Sequence, residues 1–226
     1  MVEFIVRHLQ EAGAEKIITI TGYGHAQVEK VLAGQCDFAL QEPQLGTGHA
    51  VMQAKQLENE DGATIVINGD APVIQTDTLV SLYEGAKNAD MAILTTILDE
   101  AASYGRIVRN RQGQVLKVVE AKDASEKEKE IHEINTGIYA FQNKTLFAGL
   151  KELTSDNAQH EYYITDLVEI FLKKGLQVKA IIAPDPNEVQ GVNDPVELAK
   201  ASTWLREKIN HAWMKAGVTL IDPLAT

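Results

Sequence analysis

Apolar residues recur along the chain with two alternating periods. Val2, Ile5, Val6 and Leu9 keep helical spacing and Gly13 supplies a stop, which predicts an opening helix. Lys16–Thr21 (KIITIT) is β-branched and reads as a buried strand. After a Gly22-Tyr23-Gly24 turn, Val28, Val31 and Leu32 predict a second short helix, and Phe38–Leu40 a second strand. Helix and strand thus alternate through the first fifty residues, which predicts a parallel sheet with helices on its faces. Thr64–Asn68 (TIVIN) is a further strand, Leu79, Leu82, Tyr83 and Ala86 mark a helix face, and Met91–Leu98 continues the βαβ pattern.

The pattern then changes. Tyr104–Arg109 and Val115–Glu120 flank Arg111-Gln112-Gly113, a hairpin signal. Ala121–Glu130 is a dense mixed-charge run that reads as a solvated helix or loop. Glu133–Phe141 is a strand with a polar Asn135-Thr136-Gly137 step, and a glycine inside a strand often marks close approach of a ligand or another backbone. Leu146, Leu150 and Leu153 are helical, as are Tyr163, Leu167, Ile170 and Phe171, ended by Gly175; Val178–Ile182 is a strand. Asp194 is a natural N-cap before Pro195, and Val196–Ala216 reads as one long helix, an arm at the end of a globular domain.

Two stretches carry candidate chemistry. Gln41–Ala50 (QEPQLGTGHA) lies between the Phe38–Leu40 strand and a helical run with Val51, Ala54 and Leu57. Gly46 and Gly48 permit a tight turn and close approach to bare backbone, and the turn N–H groups with the following helix N-terminus suit a phosphate or a nucleobase edge. Gln41 at the strand end offers both a donor and an acceptor. The same spacing also fits a plain strand-to-helix turn. Asn68-Gly69-Asp70 follows a strand, where ligands of open α/β sheets bind. A lone carboxylate there suits Mg²⁺, which takes one or two carboxylates and completes its shell with water and phosphate, or it serves a turn.

Composition removes other classes. The chain has 226 residues, 45% hydrophobic, enough for one large domain or a domain with an appendage. With 21 Lys+Arg against 32 Asp+Glu the net charge is −11, which argues against nucleic-acid partners but not against anionic small molecules held through a metal. Cys36 is the sole cysteine, so neither a disulfide within the chain nor a cysteine zinc site is expected. The chain has no apolar run of bilayer length and no signal peptide, so no membrane partner and a cytoplasmic location are expected.

Six motifs occur in order: QLGTGHA (44–50), GDAPVI (69–74), YGRIVR (104–109), EINTGIYAF (133–141), EYYITD (161–166) and GVND (191–194). Together, over nearly the whole chain, they resemble the uridyltransferase domain of the GlmU family, bifunctional bacterial enzymes that join N-acetylglucosamine-1-phosphate uridyltransferase to glucosamine-1-phosphate acetyltransferase. The resemblance implies a Rossmann-like mixed-sheet α/β nucleotidyltransferase over residues 1–194, a linker helix over 195–216, and the first residues of a left-handed β-helix acetyltransferase domain over 217–226. It implies transfer of a uridylyl group from UTP to N-acetylglucosamine-1-phosphate, giving UDP-N-acetylglucosamine for cell-wall precursors, with Mg²⁺ as cofactor and a homotrimer for the full-length protein.

Carried over by motif, Gln41 and Gly46-Thr47 would read the uracil. Asn68, Gly69 and Asp70 would line the nucleotide sugar, and Gly105, Glu120 and Asn135 would hold the N-acetylglucosamine. Asp70 and Asn193 would be the Mg²⁺ ligands and catalytic residues. In the family a glycine-rich LAAGxGTRM loop with Arg and Lys precedes this region. The chain as read opens after it, so a slow catalyst that keeps much of the sugar-nucleotide pocket is expected, with unpaired edges where a first central strand would lie. Asn68 stands where the family often has Tyr, Val73 where it has Leu, and Pro43 is unusual. Another sugar nucleotidyltransferase, or a UDP-sugar-binding chain without turnover, is the alternative.

Overall fold

A computed structural model describes residues 1–101, 103–157 and 159–226. The opening apolar stripe forms α1 (Val2–Glu11), burying Ile5, Val6 and Leu9, and is followed by β1 (Ile18–Thr21), α2 (His25–Val31) and β2 (Asp37–Leu40). β1 and β2 pair in parallel, as the alternation predicts, but as a separate two-stranded sheet. The turn at Gly46 leads into α3 (Thr47–Met52). The helix predicted to run on through Ala54 and Leu57 stops at Met52, and a 3₁₀ turn covers Lys55–Leu57. At that point the Gln53 side-chain amide donates to His49 O at 2.9 Å, and the Gln53 backbone N–H turns to Ala50 O.

The remaining strands build one mixed sheet. β3 (Ala63–Val66), α4 (Thr76–Lys87) and β4 (Met91–Ile97) form the expected strand-helix-strand unit, followed by the hairpin β5 (Arg106–Arg109) and β6 (Val115–Val119). The charged run becomes a single exposed turn, α5 (Glu126–Lys129), held by a capping box between Ser125 and Glu128. β7 (Glu133–Gln142) is the hub: one edge pairs with β4, while the other takes β5 at Ile134 and β3 at Tyr139–Gln142, all antiparallel. β7 therefore lies between β3 and β4, which are not paired with each other. α6 (Asn143–Leu150) and α7 (Asp166–Lys173) follow, and β8 (Val178–Ile182) adds in parallel to β4. α8 (Pro195–Lys215) ends the fold, capped by Asp194 as predicted. Within the described residues β1 pairs only with β2 and β3 only with β7, so each keeps one unpaired edge.

β4 and β7 are buried on both faces, and their period of two sorts side chains into two cores. Met91, Ile93, Tyr139 and Phe141 face α6 and α7, where Leu146, Leu167 and Phe171 pack on them. Ala92, Leu94, Ile138 and Ala140 face α4 and α1, meeting Leu79, Leu82, Ile5 and Leu9. The β4–β7 register slips between Ile93 (opposite Tyr139) and Thr95 (opposite Asn135), so β7 bulges at Thr136-Gly137-Ile138. Gly137 takes φ +77 there, and Thr136 Oγ1 donates to Leu94 O at 2.8 Å, which satisfies the interrupted ladder. The bulge re-aims Asn135.

A buried carboxylate fastens α4. Glu188 is 1% exposed; its oxygens accept Gln75 N–H at 3.1 Å and Thr78 O–H at 2.9 Å, at the helix start. Burial raises its pKa above the ordinary carboxylate value against these hydrogen bonds. A raised folded-state pKa means the folded chain holds the extra proton, so Glu188's contribution to stability is greatest below the ordinary glutamate range. It declines as pH rises through the raised value. Glu188→Ala should cost about 2 kcal/mol by leaving both donors unpaired. Glu188→Gln should remove this part of the pH dependence, read from denaturant midpoints between pH 4 and 8.

Candidate active site

Three clusters gather at the ends of β2, β3, β5 and β7. The first is built on the residues after β3. Asp70 O accepts Val192 N–H at 2.8 Å, which draws the GVND segment against the GDAPVI turn. Gly191 is the spacer: a Cβ there would meet Asp70 Oδ2 at 3.5 Å and Asn193 Nδ2 at 3.6 Å, so those two side chains face the same small space. Tyr104 covers it, its hydroxyl accepting Gly191 N–H at 3.4 Å. Burial first, then the charge of Glu197, raises the pKa of Asp70, its own backbone N–H acting against the rise. Burial likewise raises Tyr104, with Glu197 and Asp70 adding to it.

The second cluster is the Gly46-Thr47-Gly48 turn, and its backbone is not laid bare as the sequence suggests. Gly48 N–H donates to Tyr162 O at 2.7 Å, Tyr162 N–H to Leu45 O at 2.9 Å, and Ile164 N–H to Thr47 Oγ1 at 3.1 Å. The EYYITD segment thus straps the turn, and a phosphate cradle that includes the Gly48 N–H is excluded because that donor is taken. Gln41 is 8% exposed; its Nε2 donates to Gly46 O at 3.0 Å and lies 3.1 Å from His49 Nδ1. With its amide hydrogens so placed, its carbonyl oxygen is the group left for a ligand.

The third cluster joins the hairpin to β7. Gly105 O accepts Asn135 N–H at 2.9 Å, and a Cβ on Gly105 would lie 3.3 Å from Val119 O and 3.5 Å from Glu120 Oε2. Glu120 accepts Thr165 O–H at 3.2 Å; burial raises its pKa, the Thr165 bond lowers it, and Asp123 adds to the rise. Asn135 Nδ2 donates to the buried Tyr139 hydroxyl at 2.7 Å, which fixes the amide's orientation. Asn68 links this cluster to the first, because a Cβ at Gly137 would come within 2.6 Å of Asn68 Nδ2.

The structure therefore brings Asp70 to Asn193, Gln41 to Gly46 and Thr47, and Gly105 to Glu120 and Asn135, with Gly69 between Asn68 and Asp70. It adds Tyr104, His49, Tyr162, Gly191 and Glu197. The QLGTGHA, YGRIVR, EYYITD and GVND motifs hold His49, Tyr104, Tyr162 and Gly191, so motif membership was the available signal; Glu197 had none. Among the described residues no group of three or more His, Cys, Asp and Glu side chains could hold a metal. Asp70 with Asn193 is a one-carboxylate, one-amide donor set once the Asn193 amide presents Oδ1, its only possible metal donor, in place of the Nδ2 that now lies nearest. It fits a hard cation that keeps water and phosphate oxygens in its shell, and not a protein-enclosed transition metal.

The comparisons with known proteins agree with this architecture. The nucleotidyl transferase family profile matches residues 1–217, so the chain belongs to the nucleotidyl transferase family. The bifunctional protein GlmU of Geobacillus thermodenitrificans is 48% identical over 229 aligned positions, covering 100% of this chain and 50% of that protein. GlmU of Limosilactobacillus reuteri matches at 48% with the same coverage. The chain thus spans about half the length of the curated relatives it matches. The crystal structure of HddC from Yersinia pseudotuberculosis superposes with TM-score 0.62 at 19% identity, covering 90% of this chain and 84% of that one, a likeness of fold. No helix among the described residues is long and apolar enough to cross a membrane.

Proposed function

We propose that this chain transfers a uridylyl group from UTP to N-acetylglucosamine-1-phosphate, releasing pyrophosphate and forming UDP-N-acetylglucosamine, with Mg²⁺ bound by Asp70 and Asn193. The observation that carries the reading is the convergence of Asp70 and Asn193 across Gly191, with Val192 N–H bonded to Asp70 O. The Gln41 carbonyl would accept the N3–H of uracil, with Gly46 and Thr47 beside the ring. Asn68, Gly69 and Asp70 would line the ribose and phosphates. Glu120 and Asn135 would hold the sugar hydroxyls and the N-acetyl group, with Gly105 giving room for close approach.

In the reaction a phosphate oxygen of the sugar phosphate attacks the α-phosphorus and the bond to pyrophosphate breaks. That oxygen is already anionic, so no general base is required. Catalysis is positioning and charge stabilisation. Mg²⁺, when bound, neutralises charge on the two reacting phosphates. The chain's own part is to hold Asp70 and Asn193 against a common point, and to keep the acceptor in line through Glu120 and Asn135.

Residues 1–194 form the transferase unit in this reading, and 195–216 the arm toward further sequence. Exposed Val196, Leu198, Ile209 and Trp213 along α8, with Ile221 and Leu224 beyond it, suit burial in a larger assembly such as a trimer. The reading places the protein in the cytoplasm, where UTP is available, as a supplier of bacterial cell-wall precursor.

Calorimetric titration tests the pocket. UDP-N-acetylglucosamine with Mg²⁺ should bind, and UDP-glucose, which lacks the acetamido group, should bind more weakly. Equal affinity would remove the role of Glu120 and Asn135 in reading the N-acetyl group. No binding to folded protein would overturn the site.

A further inference from the structure

Glu197 stands on the first turn of α8, three residues past the N-cap. In a capping box the carboxylate at this position takes the backbone N–H of the cap residue itself. Here it reaches one residue further. Asn193 N–H donates to Glu197 Oε2 at 2.6 Å, while Asp194 caps the helix alone by accepting Val196 N–H and Glu197 N–H, both at 2.8 Å. The consequence of the Glu197 bond therefore falls on the residue whose side chain faces Asp70 across Gly191.

We propose that Glu197 is a positioning residue for the divalent-cation site: it fixes the backbone of Asn193, and with it the side chain that faces Asp70 across Gly191. The inference rests on the reading of Asp70 and Asn193 as cation ligands. Mg²⁺ keeps several waters, and carboxylates outside the first coordination shell accept hydrogen bonds from such waters and orient the ligands. Their loss typically weakens metal binding by about 10–100-fold. Glu197 supplies such a carboxylate, bonded to the backbone of one of the two proposed ligands.

The test is titration of the full chain with Mn²⁺ alone, at low salt, following the free-ion paramagnetic resonance signal, with thermal unfolding recorded for each variant. Glu197→Ala should weaken Mn²⁺ binding by about 10-fold or more. Glu197→Gln, which keeps an acceptor for Asn193 N–H but loses the charge, should fall between Glu197→Ala and the unaltered chain. Asp194→Ala removes the helix cap and should lower the unfolding temperature while leaving Mn²⁺ affinity close to that of the unaltered chain. Unchanged affinity in Glu197→Ala, with Asp70→Asn weakened, would overturn the role of Glu197 and leave the cation site standing. An equal loss in Asp194→Ala would show that helix capping alone explains the effect. Unchanged affinity in Asp70→Asn would instead refute the cation site itself.

Discussion

Asp70→Asn should lower the rate of uridylyl transfer by about 10³-fold, measured as pyrophosphate release at saturating UTP. The substitution keeps the volume and one oxygen but removes the only carboxylate among the proposed cation ligands. Little of the fold depends on that charge. The link to the GVND segment runs through the backbone carbonyl of Asp70, which Asn retains. Burial disfavours the ionised side chain, as its raised pKa records, so removing the charge relieves a cost. The unfolding midpoint should therefore stay level or rise. A large loss of stability alongside the loss of rate would mean that Asp70 is a structural residue.

Gly46→Ala should destabilise the fold by about 3 kcal/mol, read from the denaturant midpoint. Gly46 has φ +101, a conformation that side chains other than hydrogen rarely adopt. An added Cβ would sit 2.8 Å from both Glu161 Cβ and Tyr162 O, and 3.0 Å from Tyr162 N. Two of those atoms are backbone of the strap, so relief requires the strap to move, which strains Gly48 N–H to Tyr162 O and Ile164 N–H to Thr47 Oγ1. Gly48→Ala makes the contrast. Its nearest obstacle, at 2.5 Å, is Leu153 Cδ1, the end of a flexible side chain, although Tyr162 O at 3.0 Å is fixed. Gly46→Ala should be the more damaging of the two and should also weaken UDP-N-acetylglucosamine binding.

The glycines in this turn were legible from the sequence, but their use was not. Gly-Thr-Gly between a strand and a helix suggested bare backbone for a ligand, whereas the structure gives the Gly48 N–H to Tyr162. The partner lies more than a hundred positions away in the chain, and no local pattern announces it. Elements whose identity follows from local spacing emerged with close bounds: β8 over Val178–Ile182, the β5–β6 hairpin, and α8 with its Asp194 cap. Connectivity was less accessible. β7 reads as one more strand in sequence, yet it joins three others, and its Asn135-Thr136-Gly137 step becomes a bulge because β4 slips against it. Glu188 gave no signal, since a carboxylate between Asn187 and Val189 resembles any loop residue until α4 is packed over it. The meeting of Asp70 with Asn193 followed from the family motifs, and no spacing along the chain could have supplied it.

Pyrophosphate release by the purified chain with Mg²⁺ measures the uridylyl transfer itself. UTP and N-acetylglucosamine-1-phosphate should be compared with other nucleoside triphosphates and with glucose-1-phosphate. Release should require Mg²⁺, be greatest with UTP and N-acetylglucosamine-1-phosphate, and fall by about 10³-fold in Asp70→Asn. Greater release with a different nucleotide or sugar, or binding of UDP-N-acetylglucosamine without any release, would contradict the proposed reaction.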